Sequence, residues 1–391
     1  MAGKTNYKTN GVEYYRVRAT IGKKADGTPI LKSFLGKSKK EAEQKRDEYL
    51  HQLRLGLNVD FDKATLGELM HTWLYDFKRV SENIKPATFS RYEGVYRKYI
   101  QPYPIANIKI SELKTVVIQR FYNDLFDMGC TSASIRTLNS LLSNFITFAI
   151  EQDYLIKNPL KGTTIPSNPG ELTKDRKLDV YTDDEIKQLK KAIKGYIHEN
   201  LILVALGTGL RQGELLGLQW KHIDFDKKTI TVNQTLKTYS DIKSDGTRSL
   251  VTALQTPKSK HSIRTVPIPE SLVVVLNKQK ISTMERAISL GKPFNDDVLV
   301  FTNSQLSYID ARALLRSYKR MLARNDIRER DFHSLRHTYA TQLIRRGVSI
   351  EVIAELLGHS STEITKIYAH ILDDDKQKAV DKLNDIFSVV F

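Results

Sequence analysis

Arg211, Lys258, His333, Arg336, His359 and Tyr368 are residue types that together could break and remake a phosphodiester. A tyrosine hydroxyl can act as the nucleophile. An arginine fork grips two phosphate oxygens at once. Lysine and histidine can move the protons that such a transfer requires. No member of the set means much alone, since Tyr368 is one of 18 tyrosines. The ordered set carries the weight.

Local context places several of them. Arg211 follows Gly207-Thr-Gly209 and opens a helix expected over 212–218, where backbone N–H groups also favour an anion. The glycines do not make a P-loop, because no Gly-Lys-Ser/Thr follows. His333 and Arg336 are three apart, one beside and one within a helix expected to be capped by Ser334, so they share one side. His359 follows Gly358, which reads as the stop of a helix over 350–357. Ser360 or Ser361 would cap the next helix, which carries Tyr368. Tyr339 is a rival nucleophile on chemistry alone, but its helical spacing suits burial. The turn Thr256-Pro-Lys-Ser-Lys-His261 carries two lysines, Lys258 and Lys260.

The elements that must hold these residues follow from pattern. The 391 residues suffice for two or three domains, and 40% apolar residues allow each its own core. Lys and Arg number 61 against 45 acidic residues, a charge of +16, which points to a polyanionic partner. One cysteine, Cys130, excludes an internal disulfide and any zinc site built from several thiolates. No apolar run reaches the roughly 20 residues a membrane helix needs, and the N-terminus lacks a secretory signal's apolar stretch. The expectation is a cytoplasmic protein with no membrane partner, metal or cofactor.

Composition divides the chain into residues 1–60, 65–165, a Pro/Gly-containing linker 166–177, and 178–391. In the first, thirteen Lys/Arg face seven Asp/Glu. Tyr14, Arg16, Arg18 and Thr20 alternate with Tyr15, Val17, Ala19 and Ile21, the period of a half-buried strand. Asp26-Gly27 predicts a turn, 29–35 a returning strand, and Ser38 with Glu41 a capped helix to about Arg54. Tyr14, Arg16 and Arg18 are therefore candidates for a DNA groove. Residues 65–165 read as four helices, opened by the Thr65-x-x-Glu68 box, Pro86, Ser111 and Ser134. Their aromatic stripes read as core, with Lys85, Arg91, Arg97 and Lys98 as candidate phosphate contacts. Farther on, 229–232 and 263–268 alternate like paired strands, around a long polar stretch, 237–249, expected to be a hairpin or loop. The whole is mainly α with small β elements, an α+β class.

Thr208-Gly-Leu-Arg211-x-x-Glu214, His333-x-x-Arg336, Leu357-Gly-His359 and Tyr368, in this order, resemble the tyrosine recombinases, most of all integrases of temperate phages and conjugative transposons. The resemblance covers the whole chain: an arm-site-binding module, a helical core-site-binding domain and a catalytic domain. It implies site-specific cutting and rejoining of double-stranded DNA, at element ends and a target, through a 3′-phosphotyrosyl link to Tyr368. It further implies that Arg211 and Arg336 clamp the phosphate, His333 assists proton transfer and His359 hydrogen-bonds the phosphate. Of the two lysines, Lys258 is favoured as the acid over Lys260. A homo-tetramer on DNA, open to DNA-bending accessory proteins, is implied as well. The apolar stripe Ala379, Val380, Leu383, Ile386 and Phe387 could dock on a neighbouring subunit or on its own domain. Two other readings remain: a type IB topoisomerase, which would use the same chemistry to relax supercoils, and a non-catalytic DNA-binding regulator.

Overall fold

The computed structural model describes residues 7–9, 12–23, 29–54, 64–168, 179–257 and 262–358. Contacts divide the chain into two compact units: residues 1–174 with 241–247, and residues 175–240 with 248–391.

The first unit begins with a three-stranded antiparallel sheet in the order β1 (Tyr7–Thr9), β2 (Val12–Lys23), β3 (Pro29–Gly36). The alternation of the sequence predicts β2 and β3, and not the short β1. Val17 pairs with Phe34 and Ala19 with Lys32. Helix α1 (Lys39–Arg54) packs on that face, where Phe34 and Tyr49 bury against Ala19. Ser38 Oγ accepts the N–H of Glu41 at 3.1 Å, as expected. The Glu41 carboxylate returns the bond to Lys37 N–H rather than to Ser38.

A separate, larger core lies in the helices that follow. The Thr65/Glu68 capping box opens α2 (Leu66–Thr72) and satisfies two backbone donors reciprocally. The chain then widens to a π-helix over Trp73–Lys78 instead of running on as an α-helix. Trp73, Leu74 and Tyr75 at its start are all buried. Helices α3 (Pro86–Tyr99), α4 (Thr115–Asp127) and α5 (Ser132–Glu151) complete the unit. The third helix starts at Thr115 rather than Ser111, which sits in a 3₁₀ turn, Ile110–Glu112. Thr131, not Ser134, caps the fourth. The aromatic stripes are core: Phe89, Tyr96, Phe121 and Phe145 are buried, and Tyr96 donates to Gly67 O at 3.1 Å. Ile242 is buried in the same cluster.

In the second unit, the Thr182/Glu185 box opens α6 (Asp183–Ala192). α7 (Glu199–Thr208) and α8 (Gln212–Leu216) follow. Strands β4 (Ile223–Asp224), β5 (Thr229–Val232) and β8 (Arg264–Pro267) form an antiparallel sheet in the order β4-β5-β8. β6 (Thr235–Ile242) and β7 (Arg248–Gln255) form the two-stranded hairpin that the polar stretch left open. The helices α9 (Glu270–Ser289), α10 (Ala311–Arg324), α11 (Ser334–Arg345) and α12 (Ile350–Leu357) complete the described part. α7 is central: it packs on both α9 and α11. Among the described residues no helix is long and apolar enough to cross a membrane.

Candidate active site

Two glycines set the stage. α7 ends at Gly209 and α12 at Gly358, both in the left-handed conformation, with φ of 63° and 64°. A Cβ on Gly209 would lie 2.5 Å from the Tyr339 ring, and one on Gly358 3.0 Å from the Arg264 side chain. Both helix ends are thereby pressed against neighbouring side chains, and their terminal carbonyls are left needing donors.

Arginines supply those donors. Arg264 Nε donates to Leu356 O at 2.7 Å. Arg336 Nη2 donates to Leu357 O at 2.6 Å, and its Nη1 to Gly209 O at 2.8 Å. Arg211 Nη2 reaches Gly358 O at 3.5 Å. Three consecutive carbonyls at the negative end of α12 thus face three guanidinium groups, the polarity that a helix dipole favours. Arg336 is 3% exposed, whereas the Arg211 side chain keeps 40% of its surface open.

Glu214 ties two of these together. Its carboxylate accepts the Arg211 backbone N–H at 2.8 Å and Arg211 Nη1 at 2.9 Å. It also accepts both terminal nitrogens of Arg264, at 3.2 and 2.9 Å. Burial pushes the Glu214 pKa up, but the hydrogen bonds and charge of Arg264, then of Arg211, hold it below the usual carboxylate value. It is therefore an anion set between two cations.

His333 is the N-cap of α11, and Ser334 is the first helical residue rather than the cap. The His333 ring is exposed and meets the His337 ring edge-on at 4.7 Å. Desolvation by surrounding protein, then the charges of Arg336 and Arg211, lower its pKa from the ordinary value. The neutral imidazole, the form that can accept a proton, is favoured. His337 is lowered further, to about 4, by burial and then by His333 and Arg336. Tyr339 packs against Gly209, and burial raises its phenol pKa, an unfavourable setting for a nucleophile.

Of the six residues singled out from sequence, the structure brings Arg211, His333 and Arg336 together. Lys258, with its alternative Lys260, His359 and Tyr368 lie outside the described residues, as does the apolar stripe near the C-terminus. Sequence reading missed Arg264. Its signal was present: in the alternating strand 263–268 it shares the inward parity of Val266 and Ile268, an arginine where an apolar residue is expected.

The basic residues of the first unit are arranged differently. Tyr14, Arg16 and Arg18 lie on the sheet face opposite α1, and the Arg16 guanidinium sits 4.3 Å over the Tyr7 ring. Exposed Leu31 extends that face. Lys85 is the N-cap of α3. Arg91 is exposed over Tyr92 and lines a shallow cleft between α3 and α5 with Arg136, which the sequence did not single out. Lys98 lies over the Tyr99 ring at 4.8 Å. Arg97 is paired at 3.6 Å with Glu93, which is buried.

The phage integrase family matches residues 179–375, and the N-terminal SAM-like domain of phage integrases matches residues 65–126. A tyrosine recombinase XerC-like protein of Caldanaerobacter subterraneus is 47% identical over 99% of this chain and its own entire length.

The chain belongs to the tyrosine recombinases. An integrase of Bacillus subtilis, ICEBs1 integrase, is 28% identical over 77% of this recombinase and 78% of its own length. Among solved structures, a Tn1549 transposon integrase in complex with a circular intermediate DNA is similar in fold, with a TM-score of 0.62 at 21% identity. It covers 76% of this recombinase and 94% of its own chain. A lambda integrase tetramer bound to a Holliday junction gives a TM-score of 0.54 at 18% identity, over 92% and 93% of the two chains. The recombinase is a DNA strand transferase that cuts and rejoins DNA.

Proposed function

We propose that this recombinase integrates and excises a mobile element, with Arg211 and Arg336 holding the scissile phosphate and Tyr368 attacking it. The observation that supports this best is the convergence of both guanidiniums on the Leu357–Gly358 end of α12, with His333, its pKa lowered by desolvation and by their charges, three residues before Arg336. The Tyr368 oxygen forms a bond to phosphorus as the bond to the 5′-oxygen breaks, leaving a 3′-phosphotyrosyl link and a 5′-hydroxyl. His333 takes the phenol proton. Lys258, or Lys260 in its place, gives a proton to the leaving 5′-oxygen, and His359 hydrogen-bonds the phosphate. Guanidinium charge opposes the charge that builds on the non-bridging oxygens. The 5′-hydroxyl of a partner strand reverses the step. Bond energy is conserved in the link, so the scheme calls for neither ATP nor a metal.

Exchange between two duplexes requires four cuts, hence four copies on DNA. The basic face of Tyr14, Arg16 and Arg18 is read as an arm-site contact. Lys85, Arg91, Arg97 and Lys98 are read as core-site contacts.

A nicked suicide duplex tests the reading. In EDTA and without ATP, wild type should become covalently attached to the 3′ end, and peptide mapping should find the link on Tyr368. Tyr368→Phe should bind the same DNA without forming the adduct. A link mapped to Tyr339, or a strict magnesium requirement for cleavage, would overturn it.

A further inference from the structure

We infer that Arg264 is a positioning residue for DNA cleavage, which sets how Arg211 presents its charge to the scissile phosphate. The inference rests on the reading of Arg211 as a phosphate ligand.

Arg264 projects inward from β8 and is 8% exposed. Its fork closes on both oxygens of Glu214, and its Nε holds Leu356 O. Glu214 Oε1 is shared, since Arg211 Nη1 donates to the same atom. One buried anion therefore lies between two cations of unequal exposure. The inner one, Arg264, compensates the carboxylate from within the protein. The outer one, Arg211, is held by the same carboxylate but not neutralised by it alone. Without Arg264, both oxygens of Glu214 would be open to Arg211, and the two would close into a neutral pair. In a site of low dielectric that difference is amplified.

The second arm of Arg264 acts on the other acceptor of Arg211. Arg211 Nη2 points to Gly358 O, and the Arg264 guanidinium lies against Gly358 so closely that a Cβ there would approach its Cδ and Nη1 to 3.0 Å. Arg264 thus fixes both the carboxylate and the turn between which the Arg211 side chain is strung. A lysine cannot substitute, because a point charge lacks the fork needed to hold two oxygens and a carbonyl at once.

The test compares single-turnover cleavage by the full chain on nicked duplexes carrying a cleavage site mapped with wild type. The scissile position holds either a phosphate or an uncharged methylphosphonate. Arg264→Gln and Arg264→Lys should bind DNA as wild type does but cleave the phosphate about a hundredfold more slowly. On methylphosphonate, which has less charge to oppose, the deficit relative to wild type should shrink by about tenfold or more. Equal loss on both substrates would overturn the inference, since a merely structural role slows both alike. If the single variants fold poorly, Arg264→Met with Glu214→Gln removes both buried charges. It should regain thermal stability and still cleave phosphate DNA slowly; full recovery of cleavage would overturn the inference. Arg211→Ala is the internal reference. Its failure to improve on methylphosphonate would tell against Arg211 as the phosphate ligand. Its improvement without that of the Arg264 variants would overturn only the role of Arg264.

Discussion

The two units treat positive charge in opposite ways. In the first, Arg91 and Lys98 remain outside and lie over the faces of Tyr92 and Tyr99, above a core that is aromatic and aliphatic. In the second, Arg264, Arg330 and Arg336 are drawn inside, at 8, 5 and 3% exposure. Burying a guanidinium is costly unless several fixed acceptors meet it. Arg336 has backbone carbonyls, and Arg264 and Arg330 have carboxylates. Exposed cations give an adaptable attraction to a polyanion, whereas buried ones give direction. Contact with DNA over many base pairs needs the former, and chemistry at one phosphorus atom needs the latter.

Arg336→Ala should separate the two most sharply. Cleavage should fall by about 10²–10³-fold, the scale of a lost transition-state donor, while affinity for the DNA site changes little. A gel-shift titration beside single-turnover cleavage reads both; parallel loss of affinity and rate would erase the distinction. Arg330 then asks whether every buried arginine serves the site. It donates to Asp179 at 3.0 Å and to Glu185, and lies 4.6 Å over the Tyr181 ring. Arg330→Met should lower unfolding stability by about 1.5–3 kcal/mol and leave the cleavage rate per folded molecule intact. A rate loss with unchanged stability would place Arg330 with the site instead.

The second unit should also carry a pH-dependent weakness at His337. His337 has an ordinary value of 6.5 and is lowered to about 4 in the folded state. The unfolded chain therefore binds this proton more readily between those values. The stability due to the neutral ring is complete above about pH 6.5 and is lost as pH falls toward 4, up to about 3 kcal/mol. Urea unfolding at pH 7 and pH 4.5 should show the gap closing in His337→Asn relative to wild type. An unchanged pH dependence in that variant would remove His337 as the cause.

What the sequence made legible follows from the range of each interaction. The capping boxes at Thr65 and Thr182, the strands 229–232 and 263–268, and the stop at Gly358 depend on residues within a few positions of each other, and all are present. The π-helix at Trp73 lies among long-range contacts instead, with Trp73 packed on Phe145 and Phe148, 72 and 75 residues away. Arg264 escaped notice for a similar reason: Glu214 is 50 residues away and Leu356 is 92. Its strand parity shows that it is inside, but nothing local shows what it holds. The motif Arg211-x-x-Glu214 was visible as a spacing, yet only the fold reveals that the carboxylate is shared.

The smallest expected effect tests the first unit. Arg91 and Arg136 face the same shallow cleft from α3 and α5, and both are exposed. If this cleft meets the DNA backbone, each side chain displaces about one condensed counterion when it binds a phosphate. Arg91→Ala and Arg136→Ala should each weaken binding modestly and almost equally on any DNA sequence. Each should also reduce the slope of log affinity against log salt by about one. The double variant should change the slope by about two, because independent phosphate contacts add. Cleavage of DNA already saturated with protein should be untouched, the reverse of the Arg336 result. An unaltered salt slope would mean that these arginines are solvated charges, Arg91 over the Tyr92 ring, that do not meet the DNA backbone.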